Sequence, residues 1–233
     1  MILLTGDTHR FHDIEKLERL KYLNLSYKDY LIILGDAGII WNDDIKTDEC
    51  IIQWYRENVD CTVLFVDGNH CNFNALNKME VTQWNGGNIH KISDQIFHLM
   101  RGQIFNIDGK SFFTMGGGFS VDKDRRIDRI SWWKEEMPNS KETKEGMRNL
   151  NKNKFKVDYI LTHECPGIFV DQVIPDWAKK MFGHKEPTKL NYYFSSIYNI
   201  VKFNKWYFGH YHNDIKVNNH MMCIYKDIIE LGD

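Results

Sequence analysis

Met1-Ile2-Leu3-Leu4-Thr5-Gly6-Asp7-Thr8-His9 opens the chain: an apolar run that reads as a buried strand, a glycine, and then a carboxylate and an imidazole two residues apart. An Asp-x-His pair just past a strand is either a polar turn or a pair of metal ligands. Four further apolar runs decide between the two. Leu31-Ile32-Ile33-Leu34 leads into Gly35-Asp36, and Val63-Leu64-Phe65-Val66 into Asp67-Gly68-Asn69-His70. Tyr159-Ile160-Leu161 leads into Thr162-His163, and Trp206-Tyr207-Phe208 into Gly209-His210-Tyr211-His212. Every run delivers Asp, Asn or His at the same end.

In open α/β sheets ligands bind beyond the carboxyl ends of the strands, where the loops converge. These loops therefore face one crevice. Carboxylate, amide oxygen and neutral imidazole suit manganese, iron, zinc or nickel better than a soft thiolate site would. Asp7, His9, Asp36, Asn69, His163, His210 and His212 are too many ligands for one tetrahedral ion. Two ions sharing a bridging carboxylate fit the count.

In this order, Asp7-x-His9, Gly35-Asp36, Gly68-Asn69-His70, His163 and Gly209-His210-x-His212 resemble the calcineurin-like metallophosphoesterases, and the motifs span nearly the whole chain. The resemblance implies that Asp7, His9, Asp36 and His212 hold a first metal. It implies that Asn69, His163 and His210 hold a second, with Asp36 bridging and His70 outside the coordination sphere beside the leaving group. It also implies two β-sheets packed face to face with helices outside, a four-layer α/β/β/α arrangement. The Gly116-Gly117-x-x-Ser120-Val121-Asp122-Lys123 segment, followed by Trp132-Trp133, resembles one bacterial and phage branch of the family.

With 233 residues, 42% hydrophobic and 27% charged, the chain is long enough for one sizeable core, and a single domain over 1–233 is the simplest reading. A net charge of −2 gives no global attraction to nucleic acid or anionic membrane. Cys50, Cys61, Cys71, Cys165 and Cys223 are scattered, which argues against a disulfide framework and for a reducing compartment. The initial apolar run is already the first strand, so no leader is read there, and no run approaches membrane-helix length. The expectation is a cytoplasmic protein with no membrane partner.

Asp13 is placed to cap a helix carrying Ile14, Leu17 and Leu20, and Thr47 to Asn58 reads as a second amphipathic helix before the strand at Thr62 to Val66. This β-α-β-α-β alternation predicts parallel strands. Phe73 to Lys78 reads as a short helix. Short strands follow at Asn88 to Ile92, Ile96 to Met100, Gln103 to Ile107 and Ser111 to Met115. The turn signals Ser93-Asp94, Arg101-Gly102 and Asp108-Gly109 predict hairpins between them. The glycine run 116–118 is either a tight bend or a backbone loop that approaches phosphate. A charged helix is expected at about 141–153, an irregular insertion at Pro166 to Lys189 that can wall the cleft, and a helix around Tyr192 to Val201. Lys205 to Phe208, Ile215 to Val217, Met221 to Tyr225 and Ile228 to Leu231 repeat the short-strand texture.

Two divalent ions about 3.5–4 Å apart can produce hydroxide near neutral pH and clamp the attacking and leaving oxygens at phosphorus. Neither Ser nor Cys then has to act as nucleophile, and Cys71 and Cys165 read as packing residues. The catalytic candidates are Asp36 and His70. Relative to the protein phosphatase branch, the second motif lacks its further Asp and its Arg, and Cys71 stands where Glu is found. No carboxylate partner for His70 is visible, and the phosphate-holding Arg must come from elsewhere. Arg10, Arg125, Arg126 and Arg129 are the candidates, since guanidinium matches phosphate geometry, and Asn69 also faces the substrate. Trp132 and Trp133 can stack on a leaving group or pack in a lid or core. His12, His90, His98, His184 and His220 follow no spacing and read as structural or surface residues.

The expected activity is hydrolysis of a phosphomonoester or phosphodiester by a dinuclear centre, manganese first and iron, zinc or nickel as alternatives, acting through a metal-bridging hydroxide. The expected partner is a phosphorylated small molecule, nucleotide or phosphoprotein. A nuclease is a second reading, disfavoured by the absence of a dense basic stripe. A third is a non-catalytic scaffold of the same fold, against which the intact ligand set stands.

Overall fold

Strands that are buried on both faces are written as near-continuous apolar runs, and this chain places such runs at the centre of two sheets. The computed structural model describes residues 1–183 and 186–232, so His184 lies outside the described residues. The first sheet takes β1 (Ile2–Thr5), β2 (Tyr30–Ile33), β3 (Thr62–Phe65), β4 (Val81–Trp84), β5 (Gly87–Lys91) and β6 (Ile96–Leu99). The second takes β7 (Gln103–Ile107), β8 (Lys110–Met115), β9 (Tyr159–Thr162), β10 (Lys205–Phe208), β11 (Ile215–Asn218) and β12 (Met221–Cys223). β13 (Ile229–Glu230) returns to the first sheet. The orders are β13-β1-β2-β3-β6-β5-β4 and β11-β12-β10-β9-β8-β7.

Parallel pairs occupy both centres: β1/β2, β2/β3 and β3/β6 in one sheet, β8/β9, β9/β10 and β10/β12 in the other. Antiparallel pairs β4/β5, β5/β6, β7/β8 and β11/β12 lie toward the edges. Two expectations change here. Val81–Trp84 is a strand although its alternation is weak, because it is a half-exposed edge. Arg101-Gly102 closes no hairpin; the chain passes there from β6 in one sheet to β7 in the other.

Alternation along each central strand divides the core into layers. Ile2, Leu4, Ile32, Leu34 and Leu64 meet Phe105, Phe112, Leu161 and Tyr207 between the sheets. Leu3, Leu31, Ile33 and Val63 face outward onto Ile14, Leu17, Ile51 and Tyr55. On the far side Phe113, Ile160, Trp206 and Phe208 pack on Leu150, Phe194 and Ile197. The result is two mixed sheets with helices on both outer faces, as the resemblance implied. Each fully buried Leu, Ile or Phe side chain contributes about 1.5–3 kcal/mol, so both faces of every central strand are committed to packing and function is left to the loops.

Local helix details depart from the sequence reading. Ile14–Tyr22 is a 3₁₀ helix and Asp13 makes no capping hydrogen bond. The helix before β3 is Glu49–Asn58, preceded by a 3₁₀ turn, and Cys50 on it is exposed. Asn139 builds a full capping box with Glu142 at the start of Ser140–Lys152. The Pro166 to Lys189 segment holds the short helices Val170–Val173 and Asp176–Phe182. Among the described residues, no helix is long and apolar enough to cross a membrane.

Candidate metal centre

The carboxyl ends of β1, β2, β3, β9 and β10 bring Asp7, Asp36, Asn69, His163 and His210 to one crevice, and the loops after β1 and β10 add His9 and His212. His9, Asp36, His210 and His212 all have left-handed backbone, with φ of 42°, 46°, 71° and 50°. Strain of this kind in residues other than glycine collects at functional sites, where the surrounding fold holds it in place. Two glycines give the donors room. A Cβ on Gly35, at φ +93°, would sit 2.1 Å from His163 Nδ1, and one on Gly68 would sit 2.0 Å from Asp36 Oδ1.

The donors fall into two groups. Asp7, His9 and His212 bring ligand atoms within 4.8 Å of one another, as do Asp7, Asp36 and His163; His9, Asp36 and His70 form a third such set that overlaps both groups. Around His163 Nε2 stand Asn69 Oδ1 at 3.1 Å, His210 Nδ1 at 3.2 Å and Asp36 Oδ2 at 3.4 Å. Asp36 Oδ2 is also 3.6 Å from His9 Nε2 and 4.0 Å from His70 Nε2, while Asp36 Oδ1 accepts the His70 amide N–H at 2.8 Å. Asp36 therefore stands on the seam between the two groups.

Fixed partners aim the imidazoles. Leu34 C=O accepts from His163 Nδ1 at 2.8 Å and Asp13 Oδ2 lies 2.8 Å from His9 Nδ1, so in each neutral ring Nε2 turns its lone pair inward. Glu164 Oε2, 3.5 Å from His210 Nε2, favours the tautomer that leaves His210 Nδ1 free. Asp7 Oδ1 accepts the His210 amide N–H at 3.1 Å. Its Oδ2 is buried 3.2 Å from His212 Nε2 without a well-formed hydrogen bond.

Charge tells the same story. Asp7 and Asp36 are buried, and burial alone would raise both carboxyls; neighbouring imidazoles, His163 first, hold them well below the usual range. Burial would in turn lower His9 and His163, but the two carboxylates carry them up to about 9 and about 10. The crevice demands positive charge. With the imidazoles neutral, lone pairs of Asn69, His163 and His210 converge beside two buried carboxylates, so a divalent cation can take the place of the protons the carboxylates otherwise hold there.

A model of the family described as calcineurin-like phosphoesterase matches residues 1–214. The chain belongs to that family. Among solved structures, it is similar to a protein serine/threonine phosphatase from Saccharomyces cerevisiae with similarity to human phosphatase PP5, at 13% identity and a TM-score of 0.41, covering 96% of this chain and 66% of that one. It thus spans just under two thirds of the yeast chain. It is also similar to the phosphopantetheinyl hydrolase from Mycobacterium tuberculosis, at 13% identity and a TM-score of 0.43, covering 96% of this chain and 87% of that one. No curated protein sequence matches it.

Of the candidate substrate arginines, the structure brings Arg126 to the cleft, with Nη2 2.9 Å from His70 Nε2 and Nε 2.9 Å from Asp122. Arg10 is turned onto Asp48 at 2.7 Å and Cys50. Arg125 is exposed on a 3₁₀ turn and Arg129 bonds Asn74. His70 Nε2 accepts from Arg126, which places the proton on Nδ1 and leaves Nε2 nothing to donate. Burial pushes His70 down to about 4, with Asp36 opposing and Arg126 adding to it. Trp133 packs in the core, and Trp132 lies under the Lys123 ammonium, 4.4 Å away. Cys71 and Cys165 are buried and burial pushes both thiols up, consistent with packing.

Several residues at the site escaped the sequence reading. Asn69 Nδ2 donates to Ser120 Oγ at 3.1 Å, and Ser120 Oγ donates to Glu136 Oε2 at 2.6 Å, an order that turns Asn69 Oδ1 toward His163. This accounts for the glycine run: a Cβ on Gly118 would press on His163, Asn69 and His210 at 3.0–3.3 Å. Lys16 is buried and donates to the carbonyls of Gly6, Asp7 and Tyr225, tying the first loop to the carboxyl-terminal strands. Asp13 and Glu164 carried a signal, since each is a carboxylate within four residues of a ligand motif. Glu136 carried none.

Proposed function

We propose that this phosphoesterase works with two divalent cations, Asp7, His9, Asp36 and His212 holding one and Asp36, Asn69, His163 and His210 the other. The position of Asp36 carries the reading: its Oδ2 faces His9 Nε2 at 3.6 Å and His163 Nε2 at 3.4 Å, a group on either side. When bound, such ions supply Lewis acidity toward the phosphoryl oxygens and lower the pKa of water. The substrate is a phosphomonoester or phosphodiester.

The side chains do the rest. Arg126, aligned by Asp122 and seated against His70, presents its guanidinium fork to the phosphoryl oxygens beside the cradle. Asn69, aimed by Ser120, and His70 border the same opening and orient the ester. Deep burial of Asp7, Asp36 and His163 keeps bulk water from the inner wall. The mixed carboxylate, amide and imidazole donors accept manganese, with iron, zinc or nickel as alternatives, and the unpaired cysteines suit a reducing cytoplasm.

The test is Asp36→Asn, followed by metal content per chain and by turnover of p-nitrophenyl phosphate and bis-p-nitrophenyl phosphate. The expected result is two ions in the native chain, fewer in the variant, and at least about a hundredfold loss of turnover. Unchanged metal content and turnover would overturn the reading.

A further inference from the structure

Beyond the cradle the crevice widens into a cavity of about 540 Å³, within the range of small-molecule sites. Its outer wall is apolar. Phe119 and Val121 come from the loop after the glycine run; Val170, Ile174, Trp177 and Phe182 come from the segment after Pro166. Phe119, Val121 and Trp177 are 36%, 39% and 50% exposed, and grouped apolar surface rimmed by polar residues marks a binding groove. The wall and the cradle are continuous: the Trp177 ring centroid lies 6.4 Å from that of His212.

Charge narrows the occupant. Among the described residues lining the cavity, Arg126 is the guanidinium, and it is already engaged by Asp122 and His70. Asp122, Glu164 and Glu186 line the same space. Among the described residues, a polyanion such as a nucleic acid meets carboxylates and apolar side chains along this path, with no cationic track to replace its counterions. A ring-sized uncharged group meets a surface that gains by being covered.

We propose that this wall is the binding site for the organic group of the ester, and that the substrate class is a small phosphoester carrying an uncharged aromatic or branched apolar group. The assignment rests on the phosphoesterase reading and names its substrate. The phosphoryl end lies at the cradle and Arg126; the organic end lies between Val121 and Trp177.

Phenylphosphonate and methylphosphonate share a phosphonate head and differ in the ring, and neither is hydrolysed. Their binding to the manganese-loaded full chain is measured by calorimetry, alongside hydrolysis of phenyl phosphate. The native chain is expected to prefer phenylphosphonate by about tenfold or more. Trp177→Ala and, from the loop after the glycine run, Val121→Asn are each expected to bring that ratio close to one. Equal affinities in the native chain, or variants that keep the ratio, overturn the proposal while phenyl phosphate turnover leaves the phosphoesterase reading standing. Displacement of phenylphosphonate by a short oligonucleotide at lower concentration also overturns it. If neither phosphonate binds and no ester is hydrolysed, both readings fall.

Discussion

Asp13 Oδ2 lies 2.8 Å from His9 Nδ1, and Asp13 Oδ1 accepts from the Tyr225 hydroxyl at 2.8 Å. A residue placed to cap a helix instead aims a candidate metal ligand and is itself held by the segment between β12 and β13. Partners of this kind fix ring orientation, and their loss costs about 10–100-fold in metal affinity. Asp13→Asn should therefore leave thermal unfolding of the metal-free chain nearly unchanged while weakening manganese binding by that factor, measured by calorimetric titration.

Ser120 and Glu136 fix which end of the Asn69 amide faces inward. Ser120→Ala frees the amide to turn, and manganese affinity should fall roughly tenfold. Ser120→Thr, which keeps the hydroxyl, should recover most of it. A calorimetric comparison of the two variants checks this, and equal losses would show that packing alone matters.

Arg101, which the sequence presented as a turn residue, is buried with Nε and Nη2 on Asp67 Oδ2 at 2.8 and 2.6 Å, and Nη2 also donates to Glu135 C=O at 2.9 Å. Removing one member of a buried ion pair strands the other and costs about 3–5 kcal/mol. Arg101→Met should lose that much in urea unfolding. Because Asp67 C=O also accepts the Gly117 N–H at 2.9 Å, the variant should loosen the glycine run as well, seen as faster amide exchange at Gly116–Gly118.

His90 is buried against His98, Nδ1 to Nδ1 at 3.1 Å, with Asp67 beyond it. Burial pushes His90 down to about 4, His98 acts in the same direction and Asp67 opposes. The unfolded value is near 6.5, so between roughly pH 6.5 and 4 the unfolded chain binds a proton that the folded chain refuses. The stability His90 contributes is complete above that window and is lost as pH falls through it, on the order of 2 kcal/mol. Urea unfolding of His90→Leu against the native chain at pH 7.0 and 4.5 should show a smaller pH difference in the variant.

Buried Asp7 and Asp36 should make metal and stability interdependent. Removing metal with a chelator should lower the melting temperature, and manganese at a hundred times its dissociation constant should restore about 2.7 kcal/mol. A melting temperature indifferent to manganese would argue against a site built from these carboxylates.

The amino-acid sequence by itself determined the layered architecture and the sheet edge at which the candidate ligands collect. Central strands buried on both faces must be apolar runs, and runs ending in Asp, Asn or His announce both strand and site. Tertiary structure alone decided the rest. Val81–Trp84 pairs as a strand because β5 lies beside it, which its own half-polar pattern does not reveal. Arg10 and Arg126 are equal as letters; the fold sends one to Asp48 and the other to the cleft. Glu136 and Glu164 orient ligands that come from distant loops, through side-chain directions set only when the strands and layers pack. Local periodicity reports which face a residue takes, whereas a hydrogen bond between residues far apart in the chain depends on where two backbones come to rest.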